Sequence, residues 1–233
     1  MTGEVGDTVS GSEAVDVLGD GGWDAVLFDM DGTLVDSEKL WDIALGEAAE
    51  RLGGTLSRAA RERMLGSHTE ATLRVLFDDV GVDATPGLRA DVARWLETRM
   101  GELLSSELPW LPGARDVLAD VRRSGVPTAL VTSTVRTLTD LALISIGRAN
   151  FDVTVCGDEV DGHNKPHPEP YLRAARKLGV DPVRCVAIED SPTGVAAASA
   201  AGCTVVVVPG ELPVDPGDRR VFVESLAGVR LVR

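Results

Sequence analysis

Two aspartates one residue apart, Asp29 and Asp31, stand where the apolar run Ala25-Val26-Leu27-Phe28 stops. Side chains alternate along a strand, so both carboxylates start on the same side, and Gly32 lets the chain turn sharply away behind them. A cation gripped by an Asp29 carboxylate oxygen and the Asp31 backbone carbonyl would leave the Asp31 carboxyl free to move a proton. One carboxylate could then act as nucleophile and the other as acid/base.

Reactive groups recur where other apolar runs end. Val131-Thr132-Ser133 offers a hydroxyl and backbone N–H groups that could hold phosphate oxygens at a helix start, or simply cap that helix. Asn164-Lys165-Pro166-His167-Pro168-Glu169-Pro170 places one lysine in backbone stiffened by three prolines. A fixed ammonium there could neutralise a nucleophile and the group it attacks; a solvated loop lysine is the plainer alternative. Ile188-Glu189-Asp190-Ser191, followed by Gly194, brings a second carboxylate pair. Asp190 could complete a magnesium site directly or through water with Glu189 behind it, or Asp190 could be a helix N-cap.

The elements that must carry these residues alternate as in a parallel sheet. Strands are predicted near 24–29, 128–131, 153–156, 185–188 and 204–208, with a weaker one at 220–223. Helices are predicted near 114–124, 136–146, 170–178 and 194–201. Continuous apolar runs such as Cys203-Thr204-Val205-Val206-Val207-Val208 fit a sheet covered on both faces, and in such sheets sites lie beyond the strands' carboxyl ends. Between the first and second strands only helix periodicity is found, over 37–52, 57–65, 70–80 and 88–104, punctuated by Gly53-Gly54, Gly66, Gly81 and Pro86-Gly87. The expected architecture is α/β: a parallel-sheet, Rossmann-like core (23–35 and 108–233) with an inserted four-helix cap domain (36–107). Residues 1–22, acidic and without Lys or Arg, read as a mobile leader with a marginal helix over 13–18.

A chain of 233 residues supports such a core without disulfides. Its 23 Lys and Arg against 37 Asp and Glu give a formal charge of −14, which repels phosphate backbones and argues against non-specific nucleic-acid binding. An anionic small substrate would need a local metal or lysine. The three cysteines, Cys156, Cys185 and Cys203, lie in or beside strand-like runs and read as buried thiols of a reducing cytoplasm. No stretch approaches the roughly 18 apolar residues of a membrane span. A monomer is the default expectation.

This ordered set, DxDGT at 29–33, then Thr132, Lys165 and Glu189-Asp190, resembles the haloacid dehalogenase-like superfamily of aspartyl-phosphate hydrolases and mutases over about residues 23–210. The resemblance implies Asp29 as nucleophile, Asp31 as acid/base, Thr132 as the phosphate hydroxyl and Lys165 as the clamp on phosphate and nucleophile. Magnesium would be held by Asp29, the Asp31 carbonyl and Asp190, with Glu189 assisting. Gly32, Thr33, Ser133 and Thr134 are expected around the phosphate. Dehalogenase members lack the second Asp, which this chain keeps as Asp31, as phosphate-handling members do. The helical insertion looks like the cap class of phosphoglycolate phosphatases, β-phosphoglucomutases and other sugar-phosphatases.

From the cap, the entry segment 35–41 and the loop 65–69 are expected to face the site, with Trp41, Ser67 and His68 toward substrate, although an indole on a cap helix is more often core. In β-phosphoglucomutases the loop corresponding to Leu65-Gly66-Ser67-His68-Thr69 carries an arginine for a second phosphate; none lies in this loop, which favours hydrolysis of a small phosphorylated metabolite over a mutase reaction. His163 and His167 rate below His68, and Trp23, Trp95 and Trp110 read as packing. A receiver-type signalling domain also accepts phosphate on a strand-end Asp, but needs neither the insertion nor an acid/base two residues on.

Overall fold

A computed structural model describes residues 15–16, 22–105 and 108–231. The leader expected over 1–22 otherwise lies outside the described residues. The elements run β1 (Val15–Asp16), β2 (Ala25–Phe28), α1 (Glu38–Arg51), α2 (Arg58–Met64), α3 (Thr69–Val80), α4 (Pro86–Leu104) and α5 (Ala114–Ser124). They continue as β3 (Thr128–Val131), α6 (Arg136–Ile146), β4 (Val153–Val155), α7 (Glu169–Leu178), β5 (Cys185–Glu189), α8 (Pro192–Ala201), β6 (Thr204–Val207), β7 (Arg220–Phe222) and β8 (Val229–Arg230).

Six strands form one parallel sheet in the order β4-β3-β2-β5-β6-β7. The chain leaves β2 toward β3 and β4, then returns to β2's other side for β5, β6 and β7. The connections therefore diverge between β2 and β5, and the carboxyl ends there border the crevice in which open α/β sheets bind ligands. Register aligns Phe28 with Leu130 on one side and Ile188 on the other. Asp29, the next residue, consequently lies level with Glu189, and its N–H donates to the Ile188 carbonyl.

Alternation splits each strand between two cores. Val26, Phe28, Leu130, Val186, Ile188 and Val206 join the face covered by α5 and α6. Ala25, Leu27, Ala129, Val131, Ala187 and Val205 pack with Tyr171 of α7 and Val195 of α8 on the other. That two-sided burial explains why the strands are continuously apolar.

Helices α1 to α4 follow from local signals. Ser57 Oγ accepts from the Ala60 N–H and Thr85 Oγ1 from that of Leu88, which starts α2 and α4. Leu45, Leu76, Phe77, Leu96 and Met100 are buried among these helices. The insertion leaves and rejoins the sheet at one place: the Asp36 N–H donates to the Pro109 carbonyl, and Val35 bridges Trp110.

Two expectations change. Within the segment expected as a short helix over 13–18, residues Val15–Asp16 instead pair in parallel with Val229–Arg230. Six residues give too few hydrogen bonds to offset helix nucleation, whereas the β8 edge supplies partners directly. The helices expected to begin near 88 and 194 start two residues earlier, at Pro86 and Pro192, because proline is accommodated in a helix's first turn. All three cysteines are buried and free, and burial pushes the Cys156 thiol up to about 11 and those of Cys185 and Cys203 to about 12. Among the described residues no helix is long and apolar enough to cross a membrane.

Candidate active site

The reactive residues expected at four strand ends meet at the β2–β5 crevice. Lys165, almost fully buried, reaches in from the loop before α7, and its Nζ donates at 2.6 Å to both Asp29 Oδ1 and Glu189 Oε1 and at 3.0 Å to the Val131 carbonyl. The solvated-lysine alternative is therefore excluded. Burial opposes the ammonium charge, but Asp29 and Glu189 outweigh it and hold Lys165 protonated above the usual lysine range. Burial also pushes the Asp29 carboxyl up to about 8, reinforced by Glu189 and Asp31 and opposed by Lys165. Asp190 is likewise raised, chiefly by burial and then by Asp29. Four carboxylates around one ammonium leave the site short of positive charge.

Each carboxylate has its own supports. Asp31 accepts from three hydroxyls: Ser37 Oγ on Oδ1, and Thr134 at 2.8 Å and Thr132 at 3.2 Å on Oδ2. Asp190 accepts from the buried Thr33 hydroxyl at 3.2 Å. Glu189 is fully enclosed: Oε1 takes Lys165 and the Tyr171 hydroxyl, and Oε2 takes Ser191 Oγ at 3.3 Å. Two glycines make room. A Cβ on Gly32, whose φ is +78°, would overlap the Asp190 carboxylate, and one on Gly194 would overlap that of Glu189. The N-cap of α8 is Ser191, which accepts from the Gly194 N–H at 3.1 Å, so the capping role considered for Asp190 is filled by its neighbour.

Carboxylate oxygens of Asp29, Glu189 and Asp190 lie within 4.8 Å of one another. Such an all-oxygen donor set suits a hard divalent cation, and the raised carboxyls show what its charge would relieve.

Above these residues opens a cleft of about 810 Å³, part of it solvent, between the sheet and the inserted helices. Asp29, Asp31, Lys165, Asp190, Ser133 and Thr134 form its floor. Trp41, Leu45 and Met64 supply apolar wall on the helical side, with Ser67 and Thr72, whose hydroxyls lie 2.8 Å apart. Trp41 lines the cleft and also packs against the core. His68 is half-buried at the start of α3 but is not part of the cleft wall, where its neighbours Ser67 and Thr69 stand. Gly32, Thr33 and Thr132 lie beneath the floor and act on Asp190 and Asp31.

Four residues were given no individual role by the sequence, although two of them, Ser37 and Glu38, fall in the entry segment 35–41 expected to face the site. Ser37 precedes α1 and looks like a cap, yet its hydroxyl makes no cap bond and goes to Asp31. Tyr171, the one tyrosine of the chain, reads as core; a buried phenol nonetheless needs a partner, and that rule was the available signal. Glu38 and Arg61 both line the cleft. The loop 65–69 indeed has no arginine, but Arg61 of α2 reaches the same space.

The sheet order, the charge-crowded crevice and the enclosed lysine define an α/β enzyme built to handle phosphoryl groups. Residues 23–202 match the family model described as haloacid dehalogenase-like hydrolase, and the chain belongs to that family and is a phosphatase enzyme. Hexitol phosphatase B of Escherichia coli (strain K12) is 33% identical over 187 residues, covering 79% of this chain and 83% of that protein. A solved structure of a CbbY mutant from Rhodobacter sphaeroides, in complex with xylulose-(1,5)bisphosphate, is 31% identical with a TM-score of 0.78, covering 88% of this chain and 95% of that one. β-Phosphoglucomutase from Clostridium difficile, 24% identical with a TM-score of 0.73 over 88% and 92%, shares the fold.

Proposed function

We propose that this chain is a magnesium-dependent phosphomonoester hydrolase of small phosphorylated carbohydrates, working through an aspartyl-phosphate on Asp29. The observation that carries the reading is Asp29 itself: a strand-end carboxylate, locked to buried Lys165 at 2.6 Å, in the floor of a cleft that also exposes Asp31. The names of the phosphatase relatives support it, and the substrate class is taken from them.

Asp29 and Asp190, with the Asp31 carbonyl, would hold magnesium, which when bound would add positive charge to that of Lys165 for a phosphoryl group facing four carboxylates. Both Glu189 oxygens are already engaged, so its part is to anchor Lys165. Asp29 attacks phosphorus in line; the bond from phosphorus to the leaving oxygen breaks while Asp31 gives that oxygen its proton. Asp31 then takes a proton from the water that cleaves the acyl-phosphate, which frees Asp29 and inorganic phosphate. Lys165 keeps the Asp29 oxygen oriented in both steps. Ser133 and Thr134 edge the phosphoryl position, and Ser37, Thr132 and Thr134 hold Asp31 in register.

Residues 36–107 serve as a cap over a core of 23–35 and 108–233, and Trp41 and Ser67 face the leaving group. A sugar phosphomutase is the second reading, favoured by one observation: Arg61 lies in the cleft wall, where a second phosphate would bind. A panel of phosphomonoesters with magnesium separates the two. Release of inorganic phosphate, without conversion of β-glucose 1-phosphate to glucose 6-phosphate, is expected; isomerised sugar as the main product overturns the hydrolase reading.

A further inference from the structure

We propose that Glu38 and Asp42 keep Arg61 in a closed, net-negative charge set at the leaving-group end of the cleft, so that the enzyme selects monophosphates of uncharged polyhydroxy alcohols and rejects leaving groups bearing a second phosphate or a carboxylate. The inference rests on the hydrolase reading and deepens it.

Arg61 is the cation of the cleft's helical side, and it is spoken for. Its Nη2 donates to Glu38 Oε2 at 2.6 Å and to the Glu38 carbonyl at 3.2 Å, and its Nε donates to Asp42 Oδ1. The Arg61 and Glu38 side chains are 13% and 15% exposed, so the pair is held in place rather than waving in solvent. The Nε–Nη2 edge of the guanidinium, one that would grip a phosphate or carboxylate in two-point fashion, is thus bound to this chain's own carboxylates. One positive and two negative charges leave the trio at −1, and Glu211 adds another carboxylate to the cleft wall. Burial raises the Glu38 carboxyl and Arg61 pulls it back, while Asp31 and Glu211 push it further up, so these groups share one electrostatic field.

A second phosphate would therefore meet net negative charge and an arginine whose Nε and Nη2 are already taken. Sugar hydroxyls meet no such penalty. The free lone pairs of Glu38 accept from them, Ser67 and Thr72 offer hydroxyls, and Trp41 and Leu45 cover carbon–hydrogen faces. Rejection here comes from an unfavourable charge facing the leaving group.

The test compares kcat/KM for sorbitol 6-phosphate and glucose 6-phosphate with that for fructose 1,6-bisphosphate and phosphoglycolate, all with magnesium. Wild-type protein is expected to favour the better neutral monophosphate over both anionic substrates by on the order of a hundredfold. In Glu38→Gln, which frees one side of Arg61, that ratio is expected to shrink about tenfold, chiefly through a rise for the bisphosphate. Equal or better wild-type activity on the bisphosphate or phosphoglycolate overturns the proposal, whatever the variant does. So does an unchanged ratio in a variant with wild-type thermal unfolding. Absence of phosphatase activity on every substrate, p-nitrophenyl phosphate included, would instead overturn the hydrolase reading.

Discussion

Replacing Lys165 by methionine tests the electrostatics of the crevice more sharply than any loss of turnover. The ammonium lies 2.6 Å from Asp29 and from Glu189 in a buried position, so its removal leaves two carboxylates without their countercharge. Breaking a buried pair in this way costs about 3–5 kcal/mol. At about 2–4 °C per kcal/mol for a chain of this size, Tm should fall by roughly 6–20 °C. The same substitution made in an Asp29→Asn background meets one carboxylate fewer, because Glu189 alone is stranded, and Glu189 still has Tyr171 and Ser191. The double variant should therefore be about 1–3 kcal/mol more stable than the sum of the single losses predicts. Urea unfolding of all four proteins in EDTA measures this, at about pH 8.5 so that Asp29, pushed up to about 8, is mostly ionised. Additivity within about 0.5 kcal/mol would refute the claim that Lys165 and Asp29 act as one unit.

Two further outcomes follow from the same geometry. Asp29 and Asp190 titrate above their ordinary 3.8 in the folded protein, so between that value and about 8 the native state holds protons that the unfolded chain has released. Stability in EDTA should fall as pH rises through this window, and stabilisation by magnesium should grow with pH; Tm at about pH 5.5 and about pH 8 checks both, and an opposite trend contradicts the cause given. Tyr171→Phe removes the phenol from Glu189 without changing the packing, and should cost about 1.5–3 kcal/mol in urea unfolding; unchanged stability would mean that this hydroxyl is dispensable.

Much of this was legible in the sequence because the strands are apolar runs that end abruptly. Asp29, Thr132 and Glu189 each follow or close such a run, so topology alone carries them to one end of the sheet. Lys165 was legible for a different reason, since the prolines around it mark a loop whose backbone is constrained. What escaped depends on tertiary partners that local pattern does not encode. Ser37 falls in the entry segment expected to face the site, but it has the composition and position of a helix cap, and nothing in the sequence shows that its hydroxyl goes to Asp31 instead. Arg61 sits on a short helix rich in charge, where an exposed side chain is the ordinary expectation; the paired carboxylates of α1 draw it into the cleft wall. Residues 15–16 failed the helix reading because their partner strand lies at the far end of the chain.

The central claim is a covalent bond between phosphorus and Asp29. Rapid acid quenching of the magnesium-loaded enzyme during turnover, followed by peptide mass spectrometry, should find one phosphoryl group on Asp29, labile to hydroxylamine and absent from Asp29→Asn. Phosphate release at full rate with Asp29 never modified, or with the phosphoryl group on another residue, would contradict it.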